Sequence, residues 1–365
     1  MNKSSPMLTV VVPAYNVEKY LEECLDSLLN QTEMDHKIII INDGSKDLTG
    51  EIAKWYAEKY KDLIFYVEQE NQGLGATRNI GMTLVDTPYI TFLDSDDWWD
   101  PFFIEKIKKE MKRQEEKADI IFTLPWIYDS VTCQLQCWYD KSLMESLFYP
   151  CGGGENVASK MINIKSDRGL ELYALEANAC RRVYRMDFLR ELGFKFPVDV
   201  KWEDVKPHFE LLHNAKCCFA VKGTGFIYRI NTGNQITSGS GVTRLDIVTV
   251  FSDTLQMAIT ENWSEQEIAY ILRMMWSFTR WSIDMTNLDY IDALLKKLHG
   301  FFVSIPKKYF RVYLNLCSTQ RLREKVLTFV LRSPFYGILK DYRMRQRGIE
   351  YALKMRRIIN WLRGR

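Results

Sequence analysis

A chain of 365 residues, 47% hydrophobic and 26% charged, can bury one large core or two, and this balance excludes a disordered or collagen-like protein. The formal net charge of +2 hides an asymmetry: between Arg321 and Arg365 thirteen Lys and Arg stand against three acids, so the rest of the chain is net negative. No apolar run reaches the length of a membrane-spanning helix, and MNKSSPMLTVVVPAYN contains no stretch of signal-peptide type, so a cytoplasmic location is expected.

Five continuous apolar runs predict buried strands: Leu8–Val12, Lys37–Ile41, Leu63–Val67, Tyr89–Leu93 and Asp119–Thr123. Helical patterns separate them. The first carries Tyr20, Leu21, Leu25 and Leu28 on one face, and the next three cover Lys46–Tyr60, Ala76–Val85 and Phe102–Glu116. Strands alternating with helices predict an α/β fold with a mostly parallel central sheet flanked by helices. From Trp126 to about Gly241 the pattern is irregular, with CGGGEN, GFKFP and NTGNQITSGSG as loop signals. From Thr243 onward it is helical, and its last stretch opens at Pro334. The expected organisation is one domain over residues 1–241 and a helical C-terminal region over 242–365. The eight Cys show neither a disulfide-framework nor a zinc-finger spacing, so reduced thiols are expected.

In parallel sheets ligands bind at the carboxyl ends of the strands. After the first strand stand Pro13 and Tyr15, where backbone and an aromatic face could meet a base. After the second, Asp43 precedes Gly44; it could accept an imide N–H, although by itself it reads as a turn residue. After the third come Asn71, Gly73 and Gly75, with Arg78 following on a helix. This is neither a dinucleotide fingerprint nor a Walker loop, because the required glycine and lysine positions are absent. After the fourth comes LDSDD. Asp94 and Asp96, two residues apart at a strand end, can share Mn2+ or Mg2+ with phosphate oxygens.

Four pieces, VVVPAYNVEKYLEECLDSLLNQT, IIINDGSKDLT, ENQGLGATRNIG and YITFLDSDDWWDP, together resemble glycosyltransferase family 2. That family consists of inverting enzymes with the GT-A fold, many acting in bacterial cell-envelope or polysaccharide synthesis. The resemblance implies a nucleotide diphosphate sugar, UDP-linked, as donor and a hydroxyl of a glycan or lipid-linked molecule as acceptor. It places donor contacts at Pro13, Tyr15, Asp43, Asn71, Gly73, Arg78, Asp94, Ser95 and Arg229, and the metal at Asp96 with Asp94. The family's general base falls within a Glu-Asp pair, here Glu203 and Asp204, with Asp204 the expected base. His208 and His213 read as surface or core residues, and Trp98 and Trp99 as core or cleft wall. Two rivals are sugar-phosphate nucleotidyl transfer, which lacks its basic Gly-rich loop after the first strand, and a non-catalytic nucleotide-sugar-binding scaffold, against which the intact acids argue.

The basic stretch from residue 334 to 365 has three readings: a helix packed on its own body, a helix on an anionic membrane surface at the inner face of the plasma membrane, or a homo-oligomer contact. No nucleic-acid-reading motif accompanies the charge.

Overall fold

Valine and isoleucine runs make the centre of the sheet, because branched side chains pack well on a pleated surface buried on both faces. In the computed structural model, which describes residues 6–149, 157–232, 240–316 and 322–340, every residue of β1 (Leu8–Ala14) is buried. It is followed by α1 (Leu21–Leu29), β2 (His36–Asn42), α2 (Thr49–Lys59), β3 (Ile64–Glu68), α3 (Leu74–Thr83) and β4 (Tyr89–Phe92). β1 pairs in parallel with β2 and β4, and β2 with β3, giving the order β3-β2-β1-β4. Helix α2 starts at Thr49, three residues later than expected, where the Asp47 carboxylate accepts the Thr49 N–H at 3.1 Å.

The chain continues through β5 (Trp98–Trp99), α4 (Phe103–Met111), β6 (Ile120–Asp129), β7 (Gln134–Cys137), α5 (Lys141–Phe148), β8 (Ile162–Asn163) and α6 (Asp167–Leu170). Then come β9 (Arg182–Arg185), α7 (Met186–Leu192), α8 (Val205–Asn214) and β10 (Cys217–Ile230). The sheet extends past β4 as β9-β6-β10-β5, with β7 and β8 at its side. Here the pairing turns mixed: β9 is antiparallel to β4 and β6, whereas β6 and β10 are parallel. The stretch that read as irregular therefore supplies β9 and β10. Register shifts between Val221 and Ile227 interrupt the strand pattern of β10, which is why its sequence shows no regular alternation. Helix α4 ends at Met111, five residues before the expected Glu116, where i→i+3 turn bonds from Arg113 and Gln114 replace the helix. Residues 150–156 and 233–239 lie outside the described residues.

Two compact units emerge, Met1–Ser238 and Gly239–Arg365. The second holds α9 (Asp246–Thr260), α10 (Glu265–Met285), α11 (Leu288–Ser304), α12 (Lys307–Leu316) and α13 (Leu322–Arg332). α10 opens on a capping box in which Ser264 and Glu267 satisfy each other's backbone N–H groups. None of the described helices is long and apolar enough to cross a membrane. The described start of the basic stretch packs on α11: Tyr336 stacks on His299 at 4.3 Å, and Lys340 pairs with Asp292. Residues 341–365 lie outside the described ones.

Two close approaches set the position of α3. A Cβ on Gly81 would stand 2.4 Å from Val11 Cγ1, and one on Gly75 would stand 2.0 Å from the Pro197 carbonyl oxygen. Gly75 thus lets α3 lie against the segment that leads to Glu203. Gly75→Ala is expected to destabilise the protein by about 1–3 kcal/mol through overpacking against rigid backbone, measured by urea denaturation.

Candidate active site

The Asp94 carbonyl accepts the Asp97 N–H at 3.0 Å, closing a tight turn directly after β4. Within that turn Ser95 and Asp97 are buried, whereas Asp94 and Asp96 keep partial access to solvent. Burial first, and the neighbouring Asp94 charge second, push the Asp96 carboxyl up to about 6. Asp97, fully enclosed, is raised well above the ordinary range by burial and then by Asp96 and Asp94.

Arg78, on α3 and only 1% exposed, joins this turn to a distant segment. Its guanidinium donates from one terminal nitrogen to Asp94 at 2.9 Å and from the other to Glu203 at 2.8 Å and Asp204 at 2.7 Å. Burial alone would lower the Arg78 pKa. The carboxylates, Asp204 foremost, outweigh it and hold the group above its ordinary value. Glu203 is raised to about 7 by burial and by the Asp204 charge, against the pull of Arg78. Asp204 is also raised by burial, with Arg78 opposing and Asp94 reinforcing. The two acids differ in access: 21% of the Asp204 side chain is exposed against 7% for Glu203. Asp204 stands at the N-terminus of α8, where the helix dipole favours its charge. Just before the pair, Asp199 and Trp202 hold φ of 59° and 67°, a left-handed conformation that is costly for a bulky residue.

A second cluster forms at the ends of β2 and β3. The buried Asp43 carboxylate accepts from Gln69 Nε2 at 2.7 Å and from the Gln72 and Gly73 N–H groups at 2.8 Å each. Asn71 Nδ2 donates to the Asp43 carbonyl at 3.1 Å, and Gly73, at φ 83°, caps α3. Pro13 is buried within β1, while Tyr15 just beyond it is exposed. Arg229, on β10, clasps the acidic turn from the other side. Its backbone N–H donates to Asp97 Oδ1 and its Nε to the Asp96 carbonyl, both at 2.8 Å. Its guanidinium reaches Glu23 at 2.5 Å and lies over the rings of Trp98, Tyr20 and Tyr128.

The structure therefore unites Arg78, Asp94, Glu203 and Asp204 directly, and Asp43, Asn71 and Gly73 with one another. His208 is fully buried, bonded to Arg182 and 3.3 Å from the Tyr173 carbonyl, and belongs to the core. Trp99 stacks on Phe103 in the core, and Trp98 packs on Arg229. Sequence reasoning missed Asp97, Glu23 and the strained Trp202; no local signal marks the last two. Among the described residues no group of three or more His, Cys, Asp or Glu is arranged to hold a metal ion. The Asp94–Asp96 pair still fits a hard divalent cation that draws its other ligands from phosphate and water, since such a cation would offset both the burial and the Asp94 charge that raise Asp96.

The sheet, parallel across β3-β2-β1-β4 with helices between those strands and carboxylates at the strand ends, agrees with the GT-A fold expected from the sequence. Residues 9–146 match the model of glycosyl transferase family 2. It is 47% identical over 113 residues to the glycosyltransferase GlyA of Streptococcus pneumoniae, covering 31% of this chain and 16% of that one. It is 36% identical over 115 residues to the minor teichoic acid biosynthesis protein GgaB of Bacillus subtilis, covering 31% and 13%. The chain thus spans a small part of these curated relatives. The crystal structure of S. aureus TarS 1–349 in complex with UDP-GlcNAc superposes with a TM-score of 0.69 over 93% of this chain and 91% of that one, at 18% identity, which establishes a shared fold.

The buried Glu203 gives a signed stability prediction. Its folded pKa of about 7 lies above the ordinary glutamate value, so its stabilising contribution is complete below that ordinary value and is lost as pH rises through 7. Glu203→Gln keeps an acceptor for Arg78 without the charge. Its melting temperature relative to wild type is expected to rise progressively from pH 5 to pH 8; a constant difference would contradict the assignment.

Proposed function

We propose that the protein is an inverting glycosyltransferase that moves a sugar from a UDP-linked donor to a hydroxyl of a glycan or lipid-linked acceptor, working in the cytoplasm. The observation that carries this reading is the Arg78 cluster, which brings the strand-end Asp94 and the distant Glu203–Asp204 pair onto one guanidinium. The UDP-GlcNAc in the TarS structure of the same fold supports the donor class, and the teichoic acid relative supports a cell-envelope acceptor.

At the base end, Asp43 already accepts three hydrogen bonds of the roughly four a carboxylate can take, leaving one site for an imide N–H. Tyr15 is exposed to face the base, with Pro13 fixing the strand end beneath it. Asn71 and Gly73 shape the loop that borders the base, and Ser95 and Arg229 border the diphosphate side. Asp96 and Asp94 would hold Mn2+ or Mg2+, which supplies neutralisation of the leaving diphosphate. Asp204, the more accessible of the two acids, takes the proton from the acceptor hydroxyl as its oxygen attacks the anomeric carbon. The bond from that carbon to the diphosphate breaks on the opposite face, so configuration inverts. Glu203 shares Arg78 with Asp204 and fixes its orientation.

Two variants separate these roles. Asp204→Asn is expected to keep UDP-sugar affinity within a few-fold while transfer falls by about 10²- to 10⁴-fold and the acidic limb of the pH–rate profile disappears. Asp96→Ala is expected to abolish the Mn2+-dependent thermal stabilisation by UDP-sugar, which at a hundred times the dissociation constant amounts to about 2.7 kcal/mol in the wild type. Wild-type transfer that persists in EDTA would rule out the metal.

A further inference from the structure

The positive charge of the chain begins well before its last segment. From Ala293 to Lys340 ten Lys and Arg stand against one acid, Glu324. On α11, Asp292, Lys296, His299 and Val303 follow one another at spacings of three and four residues and so share a face. Segment 334–340 lies along this face, through Tyr336 on His299 and Lys340 on Asp292, so the nearest acid is already paired. At the end of α11, Arg332 donates to the Ile305 carbonyl at 3.4 Å and lies over Phe310, which brings the end of α13 to the α11–α12 turn. Exposed Lys307 and Lys308 open α12 directly after that turn, and Val303 and Phe335 are each about half exposed.

Cations interleaved with exposed apolar side chains, without a helix able to span a bilayer, suit a surface that rests in the headgroup region of a membrane. We propose that this end of the helical unit, the face carrying Lys296, Val303, Lys307, Lys308, Arg332 and Phe335, docks on an anionic lipid surface. The occupant follows from complementarity. Lysine and arginine stems spread over the turn attract a diffuse anionic plane, and the exposed valine and phenylalanine can enter its apolar margin. The residues beyond 340 add further basic charge in sequence. The contact is thereby assigned to the α11–α12 turn and the start of the basic stretch together. It does not depend on which sugar the other unit handles.

The test is sedimentation of the full-length protein with vesicles of phosphatidylcholine alone and with vesicles partly replaced by phosphatidylglycerol. Binding is expected only to the anionic vesicles and should weaken as salt rises. A basic side chain at an anionic surface is worth on the order of fivefold in partitioning, so the K296Q/K307Q/K308Q triple variant should lose on the order of a hundredfold. Phe335→Ser should weaken binding at low and high salt alike, which keeps the proposal testable if the triple variant melts early. Equal binding to neutral vesicles, or retention of wild-type binding by a folded triple variant, would overturn it. So would tight binding to duplex DNA with none to vesicles, which would assign the surface to nucleic acid.

Discussion

One guanidinium shared by three carboxylates is the constraint on which the candidate site depends. Arg78 lies at almost complete burial, and desolvating a cation costs several kcal/mol unless it is paired. Its three partners supply that pairing and create a new problem, because three carboxylates exceed one cation. Burial first, and the surplus negative charge after it, raise the Glu203 and Asp204 carboxyls. A carboxyl raised in this way holds a proton more readily, which is what the role proposed for Asp204 requires.

A second cation manages the other end of the same acidic turn. Arg229 holds the Asp96 carbonyl through its Nε and the Asp97 carboxylate through its backbone N–H. The turn is thereby fixed from β10 while Asp94 and Asp96 retain access. Three aromatic faces around Arg229 confine the guanidinium, and Glu23 partners it. The two arginines divide the work: Arg78 ties the turn to the distant acids, and Arg229 sets its backbone. Both arginines link residues more than a hundred positions apart, so each contact closes a long loop.

Charge is partitioned along the chain. The sheet-bearing unit concentrates buried acids at strand ends, whereas the helical unit from Ala293 onward is almost free of them in sequence. Within the helical unit the cations thus meet few acids of their own, which leaves a net positive surface there.

The sequence by itself determined the first four strands, their helices and the polar residues that follow each strand. Those features are local: continuous β-branched runs, helical periodicity and a charge cluster are read within a window of about ten residues. It also marked Asp43, Arg78, Asp94, Asp96, Glu203 and Asp204 through the family resemblance. Only the tertiary structure decided what these groups touch. Arg78 and Asp204 are 126 positions apart, and no periodicity connects them. Asp43 looks like a turn residue in sequence, yet its carboxylate gathers three donors from the following β3–α3 loop. β9 and β10 lay in a stretch without strand alternation, because antiparallel insertion and register shifts take their stability from the strands beside them. His208 looked like any other helix residue, and its place in the core follows from Arg182 on the strand beneath it. Local pattern fixes which elements form; long-range pairing of buried charge fixes how they make a site.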